Sequence, residues 1–266
     1  MNKATRISAR VLGVLALIVT VGCTALRTWL LQNAYRAEDG FYTSDTLHMV
    51  LKCAFIILAA IAFAVGHIYI KEEKSAAPLP EGKVLKAVSM LMGCVLGGFL
   101  LYIFAKVVLP MFETPGILDL IMAAFAAAAM LYYFTGGKKA DFRALLCLSS
   151  ALTLLVMVFG LYFNESISYV NHTIVLGYAA AIFMMLAIAA EANFLLGRSA
   201  YRRYLSYAPT AVALSLSLSI PDLVYYAAAR TVVMTDLYYD ILLFAFGIYH
   251  LVRLALIAVQ TEKKEA

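Results

Sequence analysis

"TDLYYDILLFAFGIYHLVR", Thr235 to Arg253, is mostly apolar and close to bilayer length, yet it carries two aspartates, a histidine and an arginine. A lone charge at the centre of a hydrocarbon layer costs roughly 2.5–3.5 kcal/mol even on the most lenient insertion scale. On a helix the residues separate by face. Asp236, Tyr239, Asp240, His250 and Arg253 fall within an arc of roughly 140°. Leu237, Ile241, Leu242, Phe244, Ala245, Ile248, Leu251 and Val252 take the rest, with Tyr238 and Tyr249 among them. This division predicts a helix with one lipid-compatible face and one polar face turned into a bundle.

The whole chain agrees with that setting. Of its 266 residues 64% are hydrophobic and 14% charged, against roughly 45–50% and 25% in soluble domains. A single soluble core could not hide so much apolar surface, so the expected solvent is lipid. Eight runs approach the ~20 residues that a bilayer demands: Val11–Leu31, Met49–Ile70, Val84–Leu109, Gly116–Thr135, Arg143–Phe163, Thr173–Leu195, Tyr207–Ala228 and Asp236–Val259. The expected fold is all-α, a polytopic bundle of eight transmembrane helices in one domain. The runs consume nearly all of the chain and leave no room for a separate soluble domain.

Loop charges give the expected orientation. Lys and Arg collect before the first run, and again between the second and third, the fourth and fifth, and the sixth and seventh. Lys263 and Lys264 continue the pattern in the tail. The alternate loops hold Arg36 and Arg230 alone. An excess of cations on cytoplasmic loops predicts both termini inside the cell. The formal charge of +5 then requires no nucleic-acid partner. The first run resembles a secretory signal, with "TVGC" at Thr20–Cys23, but it continues to Leu31. That favours an uncleaved helix. Residues 11–135 and 143–259 each read as four helices starting on the same side, which raises a parallel four-plus-four repeat.

Candidate site residues lie at two depths. Towards one end are Arg27, Lys52, Lys106 and Arg230 as cations, with Asp119, Asp222, Asp236 and Asp240 as anions. Ser215, Ser219, Asp222 and Tyr226 share one face of the seventh run, where Pro221 removes a backbone donor. A kinked, hydroxyl-rich and acidic wall suits a pocket; the competing reading is a kink whose freed carbonyl is capped by Ser. The candidates for a substrate or ion are Asp222, Asp240, Asp236, Lys52, Arg27, Tyr226 and Tyr239. Nearer the basic end Glu191, His250, Arg253 and His67 form an expected inner polar cluster. At about 1.5 Å per residue, Glu191 and Arg253 reach similar depths and can pair.

Cys23, Cys53, Cys94 and Cys147 lie in apolar runs without CxxC spacing, so buried free thiols are expected and neither a disulfide framework nor a zinc site. No metal or other cofactor is expected. HExxH and GxSG motifs are absent. "DLYYD", Asp236–Asp240, has the DxxxD spacing of prenyltransferases but no second acidic motif. Phe63 to His67 and Phe246 to His250 are FxxxH pairs similar to those of intramembrane CAAX-type proteases, whose EExxxR motif is missing here; "EANFLLGR", Glu191–Arg198, has a single glutamate. "LRTWLLQNAYRAEDGFY", Leu26–Tyr42, resembles the end of the first span in uncharacterised multi-pass membrane proteins of Clostridia-type bacteria. That resemblance implies a bacterial plasma membrane and no particular activity.

The leading functional expectation is a transporter or binding protein for a small molecule or ion. The alternative is a sensor or assembly subunit whose charges only lock its helices. A membrane-embedded enzyme comes third.

Overall fold

The computed structural model describes residues 3–33, 35–36, 41–42, 45–70, 81–109, 114–135, 140–163, 172–229 and 234–259. Eight helices account for nearly all of them: α1 (Lys3–Asn33), α2 (Asp45–Tyr69), α3 (Lys83–Val108), α4 (Ile117–Thr135), α5 (Ala140–Phe163), α6 (His172–Leu195), α7 (Tyr201–Ala229) and α8 (Met234–Val259). All eight are long and apolar enough to cross a membrane. The architecture is all-α, as expected, with one small addition. A two-residue antiparallel pair, β1 (Tyr35–Arg36) with β2 (Phe41–Tyr42), lies between α1 and α2. Aromatic residues favour such pairing.

Helix limits follow local chemistry. Pro110 comes directly after α3 and its C-cap Leu109, where a proline cannot continue the ladder. The tight connection from α6 to α7 is a Schellman turn. Gly197 takes φ 73°, its N–H donates to the Phe194 carbonyl, and the Arg198 N–H donates to the Asn193 carbonyl. Only glycine adopts that φ at little cost.

α3, α4, α5, α6, α7 and α8 pack each on the next, and α8 returns to α3, so the six enclose a common core. α1 and α2 lie outside this ring against α7, and α1 also touches α8. α7 thus packs on four helices, whereas α3 packs on α4 and α8. Close approach at α7 rests on glycine. A Cβ on Gly66 of α2 would lie 2.1 Å from Ser206 Oγ and 3.1 Å from the Arg202 carbonyl; one on Gly247 of α8 would lie 2.7 Å from Leu216 Cδ2. Within the GxxxG of α3, Gly93 lies against the Phe134 ring of α4 and Gly97 against Met130. Small residues here bring helices of one chain together.

The two faces expected on α8 differ in burial. Asp240, His250 and Arg253 of the polar arc are buried, while of the apolar face Leu237, Ile241, Phe244, Ile248, Leu251 and Val252 are half-buried and Leu242 and Ala245 buried. α8 is enclosed by α1, α3 and α7. The most exposed apolar faces belong to other helices: Ile18 and Val21 of α1, Ile56 of α2, Leu101 of α3 and Leu145 of α5 are exposed. The cysteine expectation is half corrected. Cys23 and Cys147 are buried, while Cys53 and Cys94 are on the outer surface, and all four are free thiols.

Candidate functional site

Two polar centres lie inside the bundle. The first joins α4, α6 and α8. Glu191, 1% exposed, accepts on Oε1 from Tyr132 Oη at 2.8 Å, Tyr249 Oη at 2.5 Å and Arg253 Nη2 at 2.7 Å. Arg253 also donates to Tyr249 Oη, from Nη2 at 2.9 Å and Nε at 3.2 Å. The Tyr249 hydroxyl therefore receives from the cation and gives to the anion. Tyr249 and Arg253 stand four residues apart on α8, so one helical turn stacks them; the guanidinium carbon lies 5.3 Å from the Tyr249 ring centre. Multiple hydrogen bonds of this kind are what a buried ion pair requires to offset desolvation.

His250 sits beside this centre, fully buried, with Nδ1 2.9 Å from Tyr204 Oη of α7. The Schellman turn after α6 is what brings Tyr204 back against α6 and α8. His67 does not join. It is exposed on α2, stacks on Phe63 and bonds the Phe63 carbonyl through Nδ1 at 3.0 Å. The cause is helical phase. Gly66 faces α7, and the next residue is rotated by about 100° away from it.

The second centre joins α1 to α7. Arg27, 2% exposed, donates from Nη2 to both Asp222 carboxylate oxygens at 2.9 Å, and from Nη1 to the Leu218 carbonyl at 2.8 Å. Leu218 is next to Ser217, whose carbonyl loses its helical donor to Pro221. Ser217 Oγ donates across to the Thr20 carbonyl of α1, and Ser219 Oγ donates back to the Ser215 carbonyl. Of the polar stripe of α7, Asp222 meets α1, while Ser215 lies against Gly247 of α8. Further along the same end, Lys106 Nζ lies 3.0 Å from Asp119 Oδ2, closing α3 on α4.

The remaining candidates are dispersed. Asp240 is buried on α8 at 9% exposure, and both it and Lys52, half-buried on α2, have interaction partners. Tyr226 is half-buried with its ring 6.4 Å from that of Tyr225. Tyr239 holds its hydroxyl over Gly160 of α5. Asp236 belongs to α8, but its side chain lies outside the described residues, as does Arg230 altogether.

The first centre is not sealed. A cavity of about 420 Å³ opens between the start of α3, the end of α4, the start of α5 and the last part of α8. Arg253, Tyr249 and Tyr132 form its inner wall; Lys86, Ser89 and Arg143 stand nearer its mouth. It opens at the end of the bundle where α1 begins and α8 finishes. Sequence reasoning missed Tyr132, Tyr204 and Ser89, and treated Lys86 and Arg143 only as loop charges and Tyr249 only as an exception on an apolar face. The available signal was the Tyr249 to Arg253 spacing, one turn apart, beneath the adjacent Tyr132-Tyr133 pair. Among the described residues no cluster of His, Cys, Asp and Glu could hold a metal ion. No protein-family model, no curated protein and no solved structure matches the chain.

Proposed function

We propose that the chain is a multi-pass protein of the plasma membrane, both termini in the cytoplasm, that binds a small molecule in the cavity beside Glu191 and Arg253 as a transporter or transport-like binding protein. Eight apolar helices and the alternating loop charges support the membrane setting and its direction. The Leu26–Tyr42 resemblance supports a bacterial cell. The observation that carries the binding function is the cavity itself. It reaches a buried, fully hydrogen-bonded ion pair from the basic end of the bundle. An ionisable group in a spanning helix that borders open space is more simply used for a ligand than for packing alone.

The alternative, a sensor or assembly subunit, draws support from the second centre. Arg27 with Asp222 and Lys106 with Asp119 close on each other, as structural locks would. The two readings part on ligand response. Purified protein is screened for compounds that raise its thermal unfolding midpoint, with Ser89→Trp as a cavity-filling control. Binding predicts a hit whose effect disappears in Ser89→Trp while the unliganded midpoint holds. Hits that ignore Ser89→Trp, or none across polar, anionic and cationic metabolites, favour the alternative.

A further inference from the structure

The geometry points to a phosphate-bearing ligand for this cavity. The assignment rests on the cavity being a ligand site, as proposed above. Three cations line it, Lys86 from α3, Arg143 from α5 and Arg253 from α8, against one carboxylate, Glu81. Glu81 lies 3.9 Å from Arg143 Nη2, a loose contact of an exposed carboxylate with a half-buried arginine. Glu191 answers Arg253 from behind the wall, which leaves the mouth with excess positive charge on Lys86 and Arg143. Arg143 Nε is buried and has no hydrogen-bond partner among the described residues. Ser89 of α3 adds a hydroxyl, whereas that of Thr135 is spent on the Leu131 carbonyl. Donors converging from three helices suit a tetrahedral anion with several acceptor oxygens better than a planar one, and Arg and Lys are the usual partners of phosphate.

The rim has a different character. Met90 and Phe134 line the cavity and are exposed, at 59% and 47%, on the outer apolar surface of the bundle. An acidic group among the cations can therefore carry an apolar substituent towards lipid. Two sources present this chemistry: a soluble phosphomonoester, or the headgroup of an anionic phospholipid, which basic pockets between spanning helices recognise on the cytoplasmic side.

The test uses the full chain in uncharged detergent. Its unfolding midpoint is followed with phenyl phosphate, and separately in nanodiscs of phosphatidylglycerol against phosphatidylcholine. Lys86→Gln and Arg143→Gln run in parallel; both residues stand at the mouth, so their unliganded midpoints should match the parent. The expected result is a saturable rise with phenyl phosphate, or with phosphatidylglycerol alone, weakened by salt. Each variant should need about fivefold more ligand. A phenyl phosphate response identifies the soluble source, and a response confined to phosphatidylglycerol identifies the lipid. No response to either, or equal responses in both variants and parent, overturns the assignment. A neutral compound whose effect Ser89→Trp abolishes, with no phosphate response, overturns it while the cavity reading stands.

Discussion

Arg253 Nη2 of α8 lies 2.7 Å from Glu191 Oε1 of α6, and that bond reaches across the core of the six-helix ring. The two helices otherwise meet mainly through α7. The pair therefore fixes the spacing of the ring on the side where the cavity opens, and two tyrosines complete its hydrogen bonding.

Removing either partner strands the other charge in the core. Arg253→Ala or Glu191→Ala should destabilise by about 3–5 kcal/mol. The double replacement Glu191→Leu with Arg253→Leu should recover much of that loss, because no uncompensated charge remains. Thermal unfolding in detergent and abundance in the membrane check this. Equal losses in the single and double variants would show that packing, not charge, holds the site.

Arg27 should be less replaceable than Asp222. Asp222→Asn keeps a polar partner for the guanidinium, and the Arg27 to Leu218 hydrogen bond persists. Arg27→Met leaves a carboxylate, 15% exposed, facing an apolar seam, and also frees the Leu218 carbonyl. The expected order is a loss of about 1 kcal/mol for Asp222→Asn and about 3 kcal/mol for Arg27→Met. Urea or thermal midpoints in the reverse order would contradict the seam described between α1 and α7.

The two glycines of the α3 GxxxG should respond differently. A Cβ on Gly93 would lie 2.8 Å from the Phe134 ring; on Gly97 its nearest neighbour is Met130 Sδ at 3.5 Å. Gly93→Ala should cost about 1–3 kcal/mol and Gly97→Ala less than about 0.5 kcal/mol. Paired thermal melts decide it, and a Gly97 variant as damaged as the Gly93 one would place the α3–α4 contact elsewhere.

Gly66→Ala tests the hub. Its Cβ meets Ser206 Oγ, which can rotate, and the Arg202 carbonyl, which cannot. A loss of about 1–3 kcal/mol is expected. Adding Ser206→Ala should restore part of it, in proportion to the share of the clash that the hydroxyl causes.

Much of the architecture was legible because hydropathy reports a span directly. The eight runs match the eight helices, and most limits agree within a few residues. α1 and α7 are exceptions. They start at Lys3 and Tyr201, not Val11 and Tyr207, since Arg6 and Arg10, and Arg202 and Arg203, depress the hydropathy of first turns that are nonetheless helical. Depth along each helix was also legible, which is why the possible pairing of Glu191 with Arg253 could be read from residue counts. Azimuth was legible within α8, where the polar arc is buried and Ile241, Phe244, Ile248 and Leu251 are half-buried, but not between helices. A wheel divides polar from apolar without telling which neighbouring helix a face meets. The same blindness hid Tyr132 and Tyr204, whose hydroxyls acquire meaning only when α4 and α7 are set against Glu191 and His250. It also placed His67 in a cluster from which its rotation on α2 excludes it.

The interior of this bundle should be reachable from the end where α1 begins and α8 finishes. Thiol labelling of Ser89→Cys, in a chain with Cys53 and Cys94 replaced by Ala, measures that directly. A membrane-impermeant maleimide should label the thiol quickly in inside-out vesicles and hardly at all in right-side-out ones. Labelling from the outer side alone, or none until the protein is denatured, would contradict the account.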